Sequence, residues 1–158
     1  MLISAKVTEG LLSYDFELAP QPQLATAWAV SSDGLQYTFT LRRGVKWHDG
    51  RPFTSADVAH SIGLLKQYHP RGRATFSSLA EVRTPDDFTA VLVLSKPVPY
   101  LLTALSASES PIVPKHLYES GKADANPANN APVGTGPFVF KEWVRGSHVT
   151  YERNPNYW

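Results

Sequence analysis

Trp47, His48, Asp49 and Gly50 stand side by side in the stretch "VKWHDGRPFTSADV" at residues 45–58, and two of them could do chemistry. An imidazole oriented by a carboxylate is the usual general base of hydrolytic sites. A small α+β hydrolase using His48 and Asp49 would still need a nucleophile and an oxyanion-stabilising group from elsewhere. A metal site would need at least two further ligands. The neighbours support a structural reading instead. Asp49-Gly50 is a common turn pair, and Gly50 takes a positive φ at little cost. Pro52 holds the residue before it extended. Thr54 suits a helix N-cap, and Asp57, three residues on, completes a capping-box pattern. His48 alone has no structural task in this stretch, so the corner reads as a turn that launches a helix.

Other candidates are weaker. His60, His69, His116 and His148 show no ligand spacing such as the i, i+4 pair of a zinc helix. His60 points away from the apolar stripe of its helix and is expected in solvent. "VGTGPF" at 133–138 lacks the Lys-Ser/Thr that follows a phosphate-binding loop, and Pro137 removes an amide donor. It reads as a sharp bend into a strand. No G-x-S-x-G elbow occurs. The chain contains no cysteine, which removes disulfides, thiol catalysis and thiolate metal sites together. No catalytic residue, metal ligand or cofactor site is assigned.

These residues need elements to position them. Leu2, Ile3, Val7 and Leu11 at helical spacing predict a short helix over 2–11. "LAPQPQLATAW" reads as an extended connection. Asp33-Gly34 between "AWAV" and "LQYTFTLRR" predicts a hairpin whose second strand alternates Leu35, Tyr37, Phe39 and Leu41 with polar residues. Residues 55–67 carry a Val58, Ile62, Leu65 stripe and predict the main helix. "YHPRGRATFSS" reads as a loop. "LAEVRTPDDFTAVLVLS" predicts two strands turning at residues 85–87. "YLLTALSA" predicts a short apolar helix, and "SPIVPKHLYESG" an extended piece with a helical turn. Residues 122–133 read as a surface loop. "GPFVFKEW" and "HVTYERN" predict a last hairpin across Arg145-Gly146. Adjacent hairpins with irregularly placed helices make the fold class α+β, an antiparallel or mixed sheet with a few packed helices.

Composition narrows the function. The chain has 158 residues, 42% hydrophobic and 18% charged, which suits one globular domain. Its formal net charge is +1, from 15 basic and 14 acidic residues scattered along the sequence. No basic stripe interleaved with aromatics appears, so no nucleic-acid partner is expected. No apolar run approaches the roughly 20 residues of a membrane-spanning helix, so no membrane insertion is expected. Residues 1–20 lack the pattern of a signal peptide.

The specific signal is an order of unremarkable motifs. "EGLLSYD", "PQLATAW", "SSDGLQYTFTLRRGVKWHDGRPFTSADV", "PDDFTAVLVLSKPVPYLL", "PIVPKH", "GTGPFVFKEW" and "ERNPNYW" follow one another from residue 9 to residue 158. This series resembles the dipeptide/oligopeptide/nickel-binding family of bacterial extracellular solute-binding proteins, which serve ABC importers. The resemblance implies a two-lobed periplasmic-binding-protein-like fold with an extra subdomain. Residues 1–130 are then the peripheral subdomain with a short lobe-one flank, residues 131–158 return into the lobe-one sheet, and the second lobe is absent from this chain. It implies a binding protein rather than an enzyme, working in the periplasm or outside the cell, with the leader peptide outside this chain. Its partners would be a peptide or similar solute and an ABC permease. Of ligand-facing residues the resemblance offers an aromatic in the loop after the main helix, which here means Phe76, with Tyr68 as the alternative. An isolated piece is expected to pair with a second copy through 131–158.

Overall fold

The computed structural model of the protein describes residues 6–158. Two short strands, β1 (Leu12–Tyr14) and β2 (Pro20–Pro22), form an antiparallel hairpin. A central sheet follows, built from β3 (Ala25–Val30), β4 (Gln36–Leu41), β5 (Leu79–Asp86) and β6 (Thr89–Leu94). Its strand order is β3-β4-β6-β5, antiparallel throughout. The hairpin of β7 (Phe138–Val144) and β8 (His148–Arg153) stands as a separate two-stranded sheet. Among the described residues three α-helices, α1 (Ser55–Tyr68), α2 (Pro70–Thr75) and α3 (Lys115–Tyr118), complete an α+β fold.

Alternation decides the core. Tyr37, Phe39 and Leu41 of β4 are buried, with Gln36 and Thr40 on the exposed face. Ala90, Leu92 and Leu94 of β6 are buried in the same rhythm, and Tyr37 lies opposite Leu92 in register. Val58, Ile62 and Leu65 recur at i, i+4 and i+7, so one stripe of α1 lies on that face, and all these side chains share one cluster. Fully burying such a side chain contributes about 2 kcal/mol. The β3–β4 turn forms as expected. Gly34 has φ +67°, and Asp33 Oδ1 accepts from the Leu35 amide at 3.0 Å.

Four local expectations change. Of the helix expected over 2–11, residues 2–5 lie outside the described residues. Thr8 to Leu11 are irregular and buried, because their backbone bonds to other segments: Gly10 N donates to Gln23 Oε1 at 3.1 Å, and Ile112 N to Glu9 O at 2.9 Å. The "YHPRGRATFSS" loop contains α2. Pro70 presets its first turn, and His69 Nδ1 accepts from the Gly72 amide at 3.0 Å, capping it. The β5–β6 turn sits at Asp87-Phe88, since Asp86 pairs with Thr89. The expected apolar helix at 100–107 shrinks to a 3-10 turn at Leu102–Ala104.

Candidate functional site

The Trp-His-Asp-Gly corner is a tight turn closed by Gly50 N donating to Trp47 O at 2.8 Å, with Gly50 at φ +89°. Trp47 is 2% exposed and meets Phe53 edge-on, ring centres 6.0 Å apart. Its indole Nε1 donates to Asp57 Oδ2 at 3.3 Å. The same oxygen accepts from the Thr54 amide at 2.9 Å, while Asp57 Oδ1 accepts from the Lys115 amide at 2.8 Å. One buried carboxylate therefore joins the corner, the start of α1 and the start of α3.

His48, which the sequence left without a task, has a structural one. Its Nε2 lies 2.9 Å from Gly136 O, and its Nδ1 accepts from the Gly134 amide at 3.3 Å. Both bonds are met by a neutral ring protonated on Nε2. Burial holds the ring's pKa below the ordinary histidine range. The Gly136 carbonyl and the charges of Glu9 and Asp49 pull the other way without reversing it. Asp49 does not orient His48. Its Oδ2 lies 2.6 Å from Nε2 of His116, and its Oδ1 accepts from the Arg51 amide at 3.1 Å. Burial raises the Asp49 carboxyl, but the bonds from His116 and Arg51 outweigh it and hold the group below the usual carboxylate range.

This geometry overturns the hydrolase alternative. His48 faces two backbone groups and Asp49 faces a different histidine. The hollow beside the corner, lined by Lys46, His48, Asn154 and Asn156 among others, measures ≈ 50 Å³. That is room for water rather than a substrate. Among the described residues, no three His, Asp or Glu side chains gather as a metal would require. His60 is also corrected: it is half-buried, and its Nε2 is enclosed without a partner.

The corner instead grips a junction. Gly134, Thr135 and Gly136 are buried against the backbone of residues 6–8, and a Cβ on Gly134 would fall 1.8 Å from Val7 O. Beside them Glu9 is 2% exposed and accepts four side-chain bonds. Thr135 Oγ1 and Trp158 Nε1 reach its Oε2 at 2.8 and 3.0 Å; Tyr157 Oη and Gln23 Nε2 reach its Oε1 at 2.8 and 3.4 Å. Burial, and then the Glu9 bond and charge, push the Tyr157 hydroxyl's pKa well up. Arg42 stacks on the Trp158 ring at 3.9 Å. "EGLL", "GTGPF" and "NPNYW" thus meet at one carboxylate. No spacing rule flags Glu9; only its place in the first motif does.

The two aromatic candidates part company. Phe76 is 1% exposed and packs in the core at the end of α2. Tyr68 is 44% exposed and lines an open apolar cleft of ≈ 360 Å³ with Leu64, Pro70, Pro111 and Tyr118.

Comparison with known proteins sets this architecture among relatives. A family model described as bacterial extracellular solute-binding proteins, family 5 Middle, matches residues 19–158. Protein XP55 of Streptomyces lividans is 36% identical over 160 residues, covering 98% of this chain and 28% of that protein. The fold matches the crystal structure of NikZ from Campylobacter jejuni in complex with Ni(L-His), with TM-score 0.89 and 33% identity over 96% of this chain and 31% of NikZ. It also matches the oligopeptide-binding protein AppA from Bacillus subtilis in complex with a nonapeptide. There the TM-score is 0.88 and the identity 28%, over 98% of this chain and 32% of AppA. The chain spans less than a third of the length of each.

Proposed function

Because the chain belongs to the bacterial extracellular solute-binding proteins of family 5, we propose that it serves a protein that captures a peptide or similar small solute in the periplasm or outside the cell and passes it to an ABC permease. The observation that carries this reading is the fold match over nearly the whole chain to a holder of a nonapeptide and a holder of Ni(L-His). Such a role needs no covalent chemistry. Ligand identity is set by groups that close over the solute, since enclosure excludes water and strengthens each hydrogen bond.

In this reading residues 1–130 are the peripheral subdomain with a short lobe-one flank, and 131–158 return to the lobe-one sheet. The Glu9 cluster supports the division, because it joins the flank to the return segment apart from the sheet core. The second lobe belongs to the remaining two thirds of such a protein. Tyr68, the last residue of α1, is the aromatic we place toward solute, with Phe76 packed in the core at the end of α2. In isolation the chain pairs with a second copy through the β7–β8 hairpin, where Phe138, Trp143 and Val144 are exposed.

Titration calorimetry tests the proposal. The full-length protein is expected to bind a member of a panel of di- to nonapeptides, opines and metal chelates, without hydrolysing it, and the 158-residue chain alone to bind none. Turnover of a peptide, or full-length protein that binds nothing in the panel, would overturn it.

A further inference from the structure

The His48 ring grips the seat of the last hairpin with both of its nitrogens. Nε2–H donates to Gly136 O at 2.9 Å, and Nδ1 accepts from the Gly134 amide at 3.3 Å. The backbone adds to this contact, His48 N donating to Gly134 O at 2.9 Å. Gly136 O also accepts from Asn154 Nδ2 at 3.1 Å, and Asn154 N donates to Pro137 O at 2.8 Å. Gly136 and Pro137 lead into β7 and Asn154 follows β8, so both ends of the hairpin are tied where His48 holds. On its other side the same strip is bonded to the flank. Gly136 N donates to Val7 O at 2.9 Å, and Thr135 Oγ1 to Glu9 Oε2 at 2.8 Å.

The two nitrogens respond differently to a proton. Nε2–H donates in either state, but Nδ1 accepts only while the ring is neutral. A proton on Nδ1 would face the Gly134 N–H, donor against donor. The side-chain torsion that carries Nδ1 away carries Nε2 with it, since both belong to one rigid ring. Few charged groups surround it. The flank supplies Glu9, the corner supplies Asp49 and Lys46, residues 133–137 supply none, and the segment after β8 supplies only the neutral Asn154 and Asn156. The two carboxylates favour the proton, and burial outweighs them. The ≈ 50 Å³ hollow beside the ring gives water, and with it protons, a way in.

The corner's other grip does not share this dependence. Asp49 Oδ2 lies 2.6 Å from His116 Nε2 at the start of α3. The Asp49 carboxyl is held below the usual carboxylate range, so it stays anionic while histidines titrate. A carboxylate accepts from a neutral or a protonated imidazole alike. We infer that the corner is a proton-operated clamp: it grips the 134–136 segment, and with it the seat of the β7–β8 hairpin, only while His48 is neutral, and it keeps its hold on α3 when His48 is charged.

The test is amide hydrogen exchange of the full-length protein, read by mass spectrometry as protection factors at pH 7.5 and pH 4.5. In peptides covering 134–144 and 148–156, protection should fall about fivefold at the lower pH, the worth of one hydrogen bond. Peptides from α1 and α3 should change far less. A His48→Gln variant has no ring to titrate, and its 134–144 protection should be the same at both pH values, whatever its level. His116→Gln should loosen α3 and leave the step at 134–144 in place. No step in the wild type, a step of equal size in every peptide, or a step that survives His48→Gln would overturn the inference. So would a step that disappears with His116→Gln.

Discussion

An imidazole that accepts at one nitrogen and donates at the other must be neutral, and this sets the pH behaviour of His48. Its folded pKa is depressed by burial, while the unfolded chain titrates near the ordinary value of about 6.5. The unfolded state therefore takes up the proton first as pH falls. The stability His48 contributes is complete above about 6.5 and is lost as pH drops below it toward the folded pKa. His48→Ala should lose about 2 kcal/mol at pH 7.5, since Gly134 N–H and Gly136 C=O lose their partner. Urea unfolding at pH 7.5 and pH 5 checks this: the gap between wild type and variant should narrow at pH 5. At the same scale Asp57 outweighs Thr54. Asp57→Ala removes one carboxylate from three donors and should lose about 3 kcal/mol, against about 1 kcal/mol for Thr54→Ala. Equal losses in denaturant titrations would refute that ranking.

Two glycines separate the demands of a helix from those of a junction. Gly63 sits inside α1 with nothing within 4 Å of the position a Cβ would take. Gly63→Ala should therefore gain up to about 1 kcal/mol from helix propensity alone, read as a raised melting temperature. Gly134→Ala should fail to fold or melt far below wild type, because Val7 O occupies the place of the new methyl. A normal melt would show that the 134–136 segment does not pack as described. The three later hairpins and α1 were legible in the sequence because turn pairs and apolar periodicity are local, whereas the β1–β2 hairpin, read as an extended connection, was not. α2 was not, since its cap is a histidine ring and its Gly72 backbone nestles against Leu65 O. The His48 contacts were illegible for the same kind of reason: their partners lie 86 and 88 residues away.

At the scale of the molecule the β7–β8 sheet is a surface without cover among the described residues. Trp143 is 47% exposed and Val144 is 41% exposed. A two-stranded sheet is marginal by itself and offers unpaired edges. The isolated chain should associate in light scattering, with mass rising toward a dimer at higher concentration. Trp143→Lys should return it to a monomer without changing the melting transition of the main core, because a charged edge strand resists pairing. A wild-type chain that stays monomeric at every concentration would refute this surface as sticky.

Sequence alone determined the α+β class, the hairpins that follow Leu24, the core stripe of α1 and, through the order of seven motifs, the family. Each of these is carried by neighbours in the chain or by their order. Only tertiary structure decided what the motifs are for. Glu9 stands 126 residues from Thr135 and 149 from Trp158, and no local propensity links them. Burying a carboxylate demands donors from any segment that can supply them. That demand draws the first motif and the last to one point, and it turns an apparent His–Asp catalytic pair into two separate clamps.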